Sequence, residues 1–518
     1  MVDYDDSEID TIPRKLSFIS FADEEQIAPS AQNILDYHSS AQITAIQLNN
    51  DDNNLPIFSI RKIYKNLIVL SLGFVFMLTA YTSMLSLQSS LNAKQNVGVN
   101  SLIIIYGCTI VSAIFLTSTS MDIFGLKWAM IIAILAYALY MLANIYPLPE
   151  LMYISAALVG LGAAPLWTSE ALYLNRIGRY HAQHKFQTVE MSVSLFFGIF
   201  SAITGTSLIW GNLISYFVLR QSNTPPKVNC GIYFDPKVSR PTNETEDVNE
   251  TTRYVLCGVF AGISILSMVV VYLAVDQIRL TKRQTIRQSM KKSIEVLASL
   301  IRCKEISQIF LIPLTMWSLT ENAFLNAQFT RAFITCVIGI RYIGLIMAAH
   351  GICYVMSSYF FGWFARYIKR IGCFIFAAIL NYAMIIWMYV WEPNDKQIAV
   401  LFIMAGVWGI ADAIWQSQVI AAYTVLYSDG DPTVVAKYRL WKSVGSLLTY
   451  SYASYITMRS TLLVLLIFLT AIISVIIFVK NIITNYCTCQ LTHHTPSVVT
   501  VALVYRYSTN FEHLFHYF

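Results

Sequence analysis

The chain has 518 residues, 56% of them hydrophobic and 13% charged, with a mean hydropathy of +0.55. Soluble domains carry about 25% charged residues, so this composition excludes a soluble globular protein and places the chain in a membrane. The formal net charge is only +5; its placement matters more than its value, and nucleic acid is not an expected partner.

Residues 1–64 are polar, with acidic runs such as "MVDYDDSEID", "FADEEQ" and "NNDDNN". They show no secretory signal peptide and read as a disordered tail. Beyond them, runs of about 18 or more apolar residues recur, each long enough as a helix to cross about 30 Å of hydrocarbon. Twelve spans are expected, at 67–90, 101–120, 128–146, 151–174, 192–213, 254–275, 306–329, 342–364, 374–391, 398–425, 438–455 and 462–479. Helices satisfy every backbone donor and acceptor span by span. A β-barrel needs short alternating segments instead, and these are absent. The expected fold is an all-α membrane protein of two six-helix halves, 65–276 and 306–484, joined by a linker at 277–305 and followed by a tail at 485–518.

Lys and Arg orient the spans, because cytoplasmic connections carry the excess of them. Arg61, Lys62 and Lys65 precede the first span, and Arg176, Arg179 and Lys185 lie between the fourth and fifth. Arg366, Lys369 and Arg370 lie between the eighth and ninth, and the linker holds "RLTKRQTIRQSMKKS". This threading puts both termini in the cytoplasm and the polar loop 220–253 outside. That loop carries two sequons, Asn243-Glu-Thr and Asn249-Glu-Thr, which matter only on an exterior or luminal face. Cys230 and Cys257 flank it and form a candidate disulfide in an oxidising compartment, with two buried thiols as the alternative. Cys487 and Cys489, just past the last span, are candidates for palmitoylation.

The fourth span contains "GLGAAPLWTSEALYL", and the tenth contains "GIADAIWQSQVIAAY". Each has a small-residue run, which lets helix backbones approach closely, followed by a tryptophan and a polar cluster. Charged groups in hydrocarbon cost about 2.5–3.5 kcal/mol on insertion scales and are functional candidates by default. Glu170, Glu321 and Asp412 are the best placed, lining a cavity, meeting a partner helix, or serving as interhelical hydrogen-bonders. Asp412 and Gln416 share a helix face, as do Trp167 and Glu170, and Trp167 and Trp415 read first as packing residues. Gln88 is a weaker candidate for a cavity wall. Arg331 is expected to snorkel to the outer interface, and His350 to be a satisfied core histidine. The chain holds no G-x-S-x-G, Walker, H-E-x-x-H or C-x-x-C pattern, so neither an enzyme nor a cofactor is expected.

"MDIFGLKW", after the second span, is similar to the loop G-x-x-x-D-R-x-G-R-R of the major facilitator superfamily. Asp122, Gly125 and Lys127 match, while Ile123 and Leu126 replace both of its arginines. A narrower likeness lies in five ordered segments: "NLIVLSLGFVFMLTAYTSMLSLQSSL", "GLGAAPLWTSEALYL", "PLTMWSLTENAFLNAQFTRAFITCVIGI", "GIADAIWQSQVIAAY" and "KYRLWKSVGS". Together they resemble the Unc-ninety-three (uncoordinated ninety-three) family over roughly residues 65 to 480. The resemblance implies a twelve-helix facilitator fold. It also implies a regulatory subunit of a two-pore-domain potassium channel in the plasma membrane, or an escort for receptors in endolysosomal membranes. A secondary transporter of a small solute or cation is the competing reading.

Overall fold

A computed structural model describes residues 58–219, 229–238, 248–278, 306–426 and 432–492. Most of the acidic tail, Asn243, most of the linker and the end of the C-terminal tail lie outside the described residues. The first half comprises α1 (Ile60–Leu91), α2 (Val97–Phe115), α3 (Thr117–Ala143), α4 (Pro149–Lys185), α5 (Val189–Gly205), α6 (Ser207–Val218) and α7 (Glu250–Ala274). In the second half, α8 (Ile306–Phe324) runs on as a π-helix over Leu325–Thr335 and a last α-turn, Cys336–Ile338. It is followed by α9 (Arg341–Val390), α10 (Ile398–Leu426), α11 (Pro432–Ala453) and α12 (Met458–Thr492). No strand occurs among the described residues.

Each of the twelve expected spans is helical. The fifth is built from α5 and α6 together. The eighth and ninth lie in α9, whose apolar stretches Arg341–Phe361 and Ile371–Val390 are joined by a connection, 362–370, that is itself helical. Among the described residues, ten stretches are long and apolar enough to cross a membrane. The seventh and eleventh spans, α8 and α11, are not among them, and α11 brings Lys437, Arg439 and Lys442. The expected turn after the second span falls at Gly125, which interrupts α3 with φ 77° and ψ 169°. That conformation is cheap only for glycine.

The small-residue runs do what their composition suggests. A Cβ at Gly160 would lie 2.4 Å from the Ile105 carbonyl oxygen, and one at Gly409 would lie 2.5 Å from that of His350. So α4 closes on α2, and α10 on α9, through the same device in the two halves.

At the end of α7 away from Asn249, Asp276 fastens the first half. Its carboxylate accepts from Lys65 Nζ at 2.8 Å and Asn66 Nδ2 at 3.0 Å, and Lys62 Nζ stands 3.5 Å away. Its backbone carbonyl accepts from the Tyr173 hydroxyl of α4 at 2.8 Å.

On the opposite face, the cysteine pairing differs from expectation. Cys230 is bonded to Cys336 at the end of the α8 π-helix, with a Cα–Cα separation of 5.6 Å. Cys257 is a fully buried free thiol on α7, turned into the core and out of reach of the loop. Asn249 is exposed and caps α7, its side-chain oxygen accepting from the Thr251 amide at 3.2 Å. Cys487 and Cys489 fall within α12, but their side chains lie outside the described residues.

Two outcomes follow. Burial pushes the Asp276 carboxyl up, but hydrogen bonds from Lys65 and Asn66 and the charges of Lys65 and Lys62 outweigh it and hold it below the usual carboxylate range. The folded chain therefore binds that proton less tightly than the unfolded one. The stabilisation is present above about pH 3.9 and is lost as pH falls through the lowered folded value. Asp276→Asn should lower the Tm of detergent-purified protein at pH 7 by only about 1–2 °C, because its lysines are half exposed. The difference should vanish toward pH 3. Asn249→Gln should also remove one endoglycosidase-sensitive step in gel mobility.

Candidate functional site

The π-helix that extends α8 sets the site. Such geometry is rare beyond a single turn and frequently marks functional positions, and here Leu325 through Ile334 are all buried. It meets α1 across the boundary between the halves. Ser86, Ser89 and Ser90 share one face of α1. Ser86 Oγ donates to Asn326 Oδ1 at 2.7 Å, Ser89 Oγ lies 3.4 Å from Thr330 Oγ1, and Ser90 Oγ lies 2.8 Å from Thr335 Oγ1.

From there a chain of side chains runs through the second half. Asn326 Nδ2 donates to Asn322 Oδ1 at 2.8 Å, and Asn322 Nδ2 donates to Asp412 Oδ2 on α10 at 3.3 Å. Gln416 Nε2, one turn along α10, donates to Asp412 Oδ1 at 3.1 Å and to the Ser318 carbonyl at 2.8 Å. Lys442 of α11 donates to Gln416 Oε1. A buried carboxylate is thus joined to an amine through one amide, and α1, α8, α10 and α11 are joined to one another.

Glu321 lies beside this chain. Its Oε2 accepts from Asn381 Nδ2 of α9 at 3.0 Å, and Asn381 Oδ1 accepts from Trp415 Nε1 at 2.8 Å. Trp415 also stacks on Phe374, with centroids 5.4 Å apart, so it is a hydrogen-bonding member of the site as well as a packing residue. Glu321 Oε1 is buried without a hydrogen-bond partner. His350 is not the satisfied core histidine expected. Neither ring nitrogen has a hydrogen-bond partner, and Nε2 stands 3.9 Å from Asp412 Oδ2, beyond hydrogen-bond reach.

Glu170 and Trp167 form a second cluster on α4. The Arg439 guanidinium of α11 lies 5.3 Å over the Trp167 ring, and its charge acts on the Glu170 carboxyl across the boundary. Phe74 packs edge-on against the same ring at 5.7 Å. Of the sequence candidates, the structure therefore brings together Glu321, Asp412, Gln416 and Trp415, and sets Glu170 and Trp167 apart with Arg439.

Sequence reasoning missed Asn381, Lys442 and Arg439. The two basic residues, three apart inside an expected span, carried the signal, since cations in hydrocarbon need a partner. Two further expectations fail. Gln88 belongs to an amide cluster, donating to Asn144 Oδ1 at 2.8 Å and accepting from Asn92 Nδ2 at 2.8 Å. Arg331 is buried rather than snorkelling, with its guanidinium 5.5 Å from the Phe234 ring, in the connection between α6 and α7. Among the described residues no group of three or more His, Cys, Asp or Glu side chains is placed to hold a metal ion.

Removing one partner of a buried charged network costs about 3–5 kcal/mol. Asp412→Ala should therefore lower the Tm of detergent-solubilised protein clearly more than Asp412→Asn, which keeps the shape and part of the hydrogen bonding. Equal midpoints in heated size-exclusion profiles would contradict the network.

Residues 89–479 match the sequence model of a family described as Ion channel regulatory protein UNC-93. Protein unc-93 homolog A of Xenopus laevis is 34% identical over 78% of this chain and 90% of its own length. The putative potassium channel regulatory protein unc-93 of Caenorhabditis elegans is 29% identical over 78% of this chain and 59% of its own length. Among solved structures, the peptide transporter POT aligns with a TM-score of 0.57 at 10% identity, covering 81% of this chain and 94% of that one. The xylose transporter XylE from E. coli aligns at 0.55 and 12%, covering 81% and 98%. Likeness at such identity is one of fold, and the fold is that of the major facilitator superfamily.

Proposed function

From a chain that belongs to the UNC-93 family of ion channel regulatory proteins, we propose a regulatory subunit of a potassium channel that acts by helix–helix association within the membrane. The family match over residues 89–479 carries this reading. The structure supports it in one respect: the polar groups of α1, α8, α10 and α11 are largely engaged with one another. The domain plan fits the same picture, with the acidic tail and linker in the cytoplasm and the loop bearing Asn249 outside. The basic cluster around Asp276 and the exposed Asn249 lie at opposite ends of α7, as that orientation requires. The membrane is taken to be the plasma membrane.

A regulator shifts a channel only if it binds the open and closed states with different affinity; an indifferent binder shifts nothing. Co-expression with two-pore-domain potassium channels should therefore change the open probability of at least one. A difference of about 1.4 kcal/mol between the two states moves the open–closed ratio about tenfold. Unchanged currents and no co-purification across the whole set of such channels would remove the reading. Intracellular residence, with a receptor mislocalised on depletion, would point to the escort role instead.

A second reading is favoured by Glu321 Oε1 and by the two His350 nitrogens, buried and without hydrogen bonds. Such groups suit a transient cation or solute in a secondary transporter. Flux in proteoliposomes that disappears in Glu321→Ala and Asp412→Ala would favour that alternative.

A further inference from the structure

We infer that residues 230–236 form a disulfide-pinned plug on the exterior face: a piece of the first half's long loop is locked onto the outer end of the second half and closes that end to the outside. By sequence the segment lies between α6 and α7. By contact it belongs to the second half. Cys230 is bonded to Cys336, at the end of the π-helix. The Phe234 carbonyl accepts from the Met458 amide at the start of α12, at 3.0 Å. Gly231 lies so close to the connection between α9 and α10 that a Cβ there would meet the Pro393 ring at 2.6 Å. Three separate elements of the second half thus hold one short stretch of the first.

The plug also covers something. Phe234 and Pro236 roof a small cavity whose walls include Gln328, Arg331 and Thr461. Phe234 is 7% exposed, and Arg331 beneath it is 8% exposed. Gln328 donates to Thr461 at 3.1 Å, while its carbonyl oxygen is buried and unpartnered. Without the segment these groups would open to the exterior. A disulfide tolerates Cα separations up to about 6.8 Å. At 5.6 Å the bridge ties Cys230 directly to the end of the π-helix, four residues before Phe234. The covalent bond, rather than the few polar contacts, keeps the plug seated.

The test uses the full chain in intact cells and in purified form. With a protease site placed in the linker 277–305, the cut protein should run as one band without reductant and as two with dithiothreitol. The reagent closes to its cyclic disulfide as two electrons and two protons pass to the Cys230–Cys336 pair. Cys230→Ser should give two bands without reductant, and Cys257→Ser should still give one. Beneath the plug, Ala327→Cys should stay unlabelled by a membrane-impermeant maleimide while Val238→Cys, on the exposed part of the loop, reacts fully. In a Cys230→Ser/Cys336→Ser background the Ala327→Cys rate should rise about tenfold or more, as when an open state goes from about 1% to about 10% of molecules. Brief dithiothreitol treatment of Ala327→Cys in the otherwise native chain should raise labelling beyond that of the equally treated parent chain, whose freed Cys230 and Cys336 thiols also react, so a folding defect of the serine variants does not decide the result. Two bands from the native chain without reductant, or an Ala327→Cys rate unmoved by loss of the bridge, overturns the inference.

Discussion

Asp412 lies in the middle of α10 at hydrocarbon depth, and a carboxylate there is tolerable only with donors on both oxygens. Asn322 and Gln416 are those donors, and each needs a fixed backbone behind it. Asn322 therefore fixes the rotation of α8 against α10. Gln416, held in turn by Lys442, fixes α11. Since Asn322 also accepts from Asn326, which accepts from Ser86, the requirement of one buried charge extends to α1 in the other half. Glu321 is tied toward α9 through one oxygen only, by Asn381, which Trp415 holds in turn. Much of the geometry of the second half can be read as the set of positions that keep two carboxylates in company.

That arrangement bears on what the protein does. In a facilitator fold, transport by alternation requires the halves to rock against each other around a central site. Here the boundary between the halves carries the serine face of α1 on the π-helix, together with Arg439 over Trp167. Around the break in α3 at Gly125, Ile123 and Leu126 stand where the superfamily pattern has arginines. A bundle joined in this way is suited to presenting a defined outer surface to a neighbour. Regulation of a channel by side-on contact needs that quality more than a wide cavity.

The membrane class, the twelve helical spans and the repeated small-residue contacts were legible in the sequence, because hydropathy and glycine-mediated close approach are local properties. Glu321 and Asp412 were legible as well, because a charge in an apolar run is conspicuous. Their partners were not. Asn381 is one amide in a greasy stretch, and nothing in its surroundings announces that it bridges Glu321 to Trp415. Arg439 and Lys442 were conspicuous, but the carboxylates drew the reading away from them. The cysteine pairing failed for a different reason. Cys230 and Cys257 flank one loop, whereas Cys336 lies 106 residues from Cys230 in sequence, and only the folding of the loop over the second half brings the two together. The same folding buries Arg331, which a one-dimensional reading sends to the interface.

The π-helix has a consequence for how this family can vary. A helix that closes its hydrogen bonds over five residues instead of four accommodates surplus chain in the same length. Losing one residue from 325–335 would let the segment relax to ordinary α-helix and turn everything after it by about 100°. Thr335 would then leave Ser90, and Cys336 would face away from Cys230. The end of the bundle that holds the Cys230–Cys336 bridge is therefore sensitive to the number of residues in that segment as well as to their identity, and a relative with a one-residue gap there would have to hold this loop by other means.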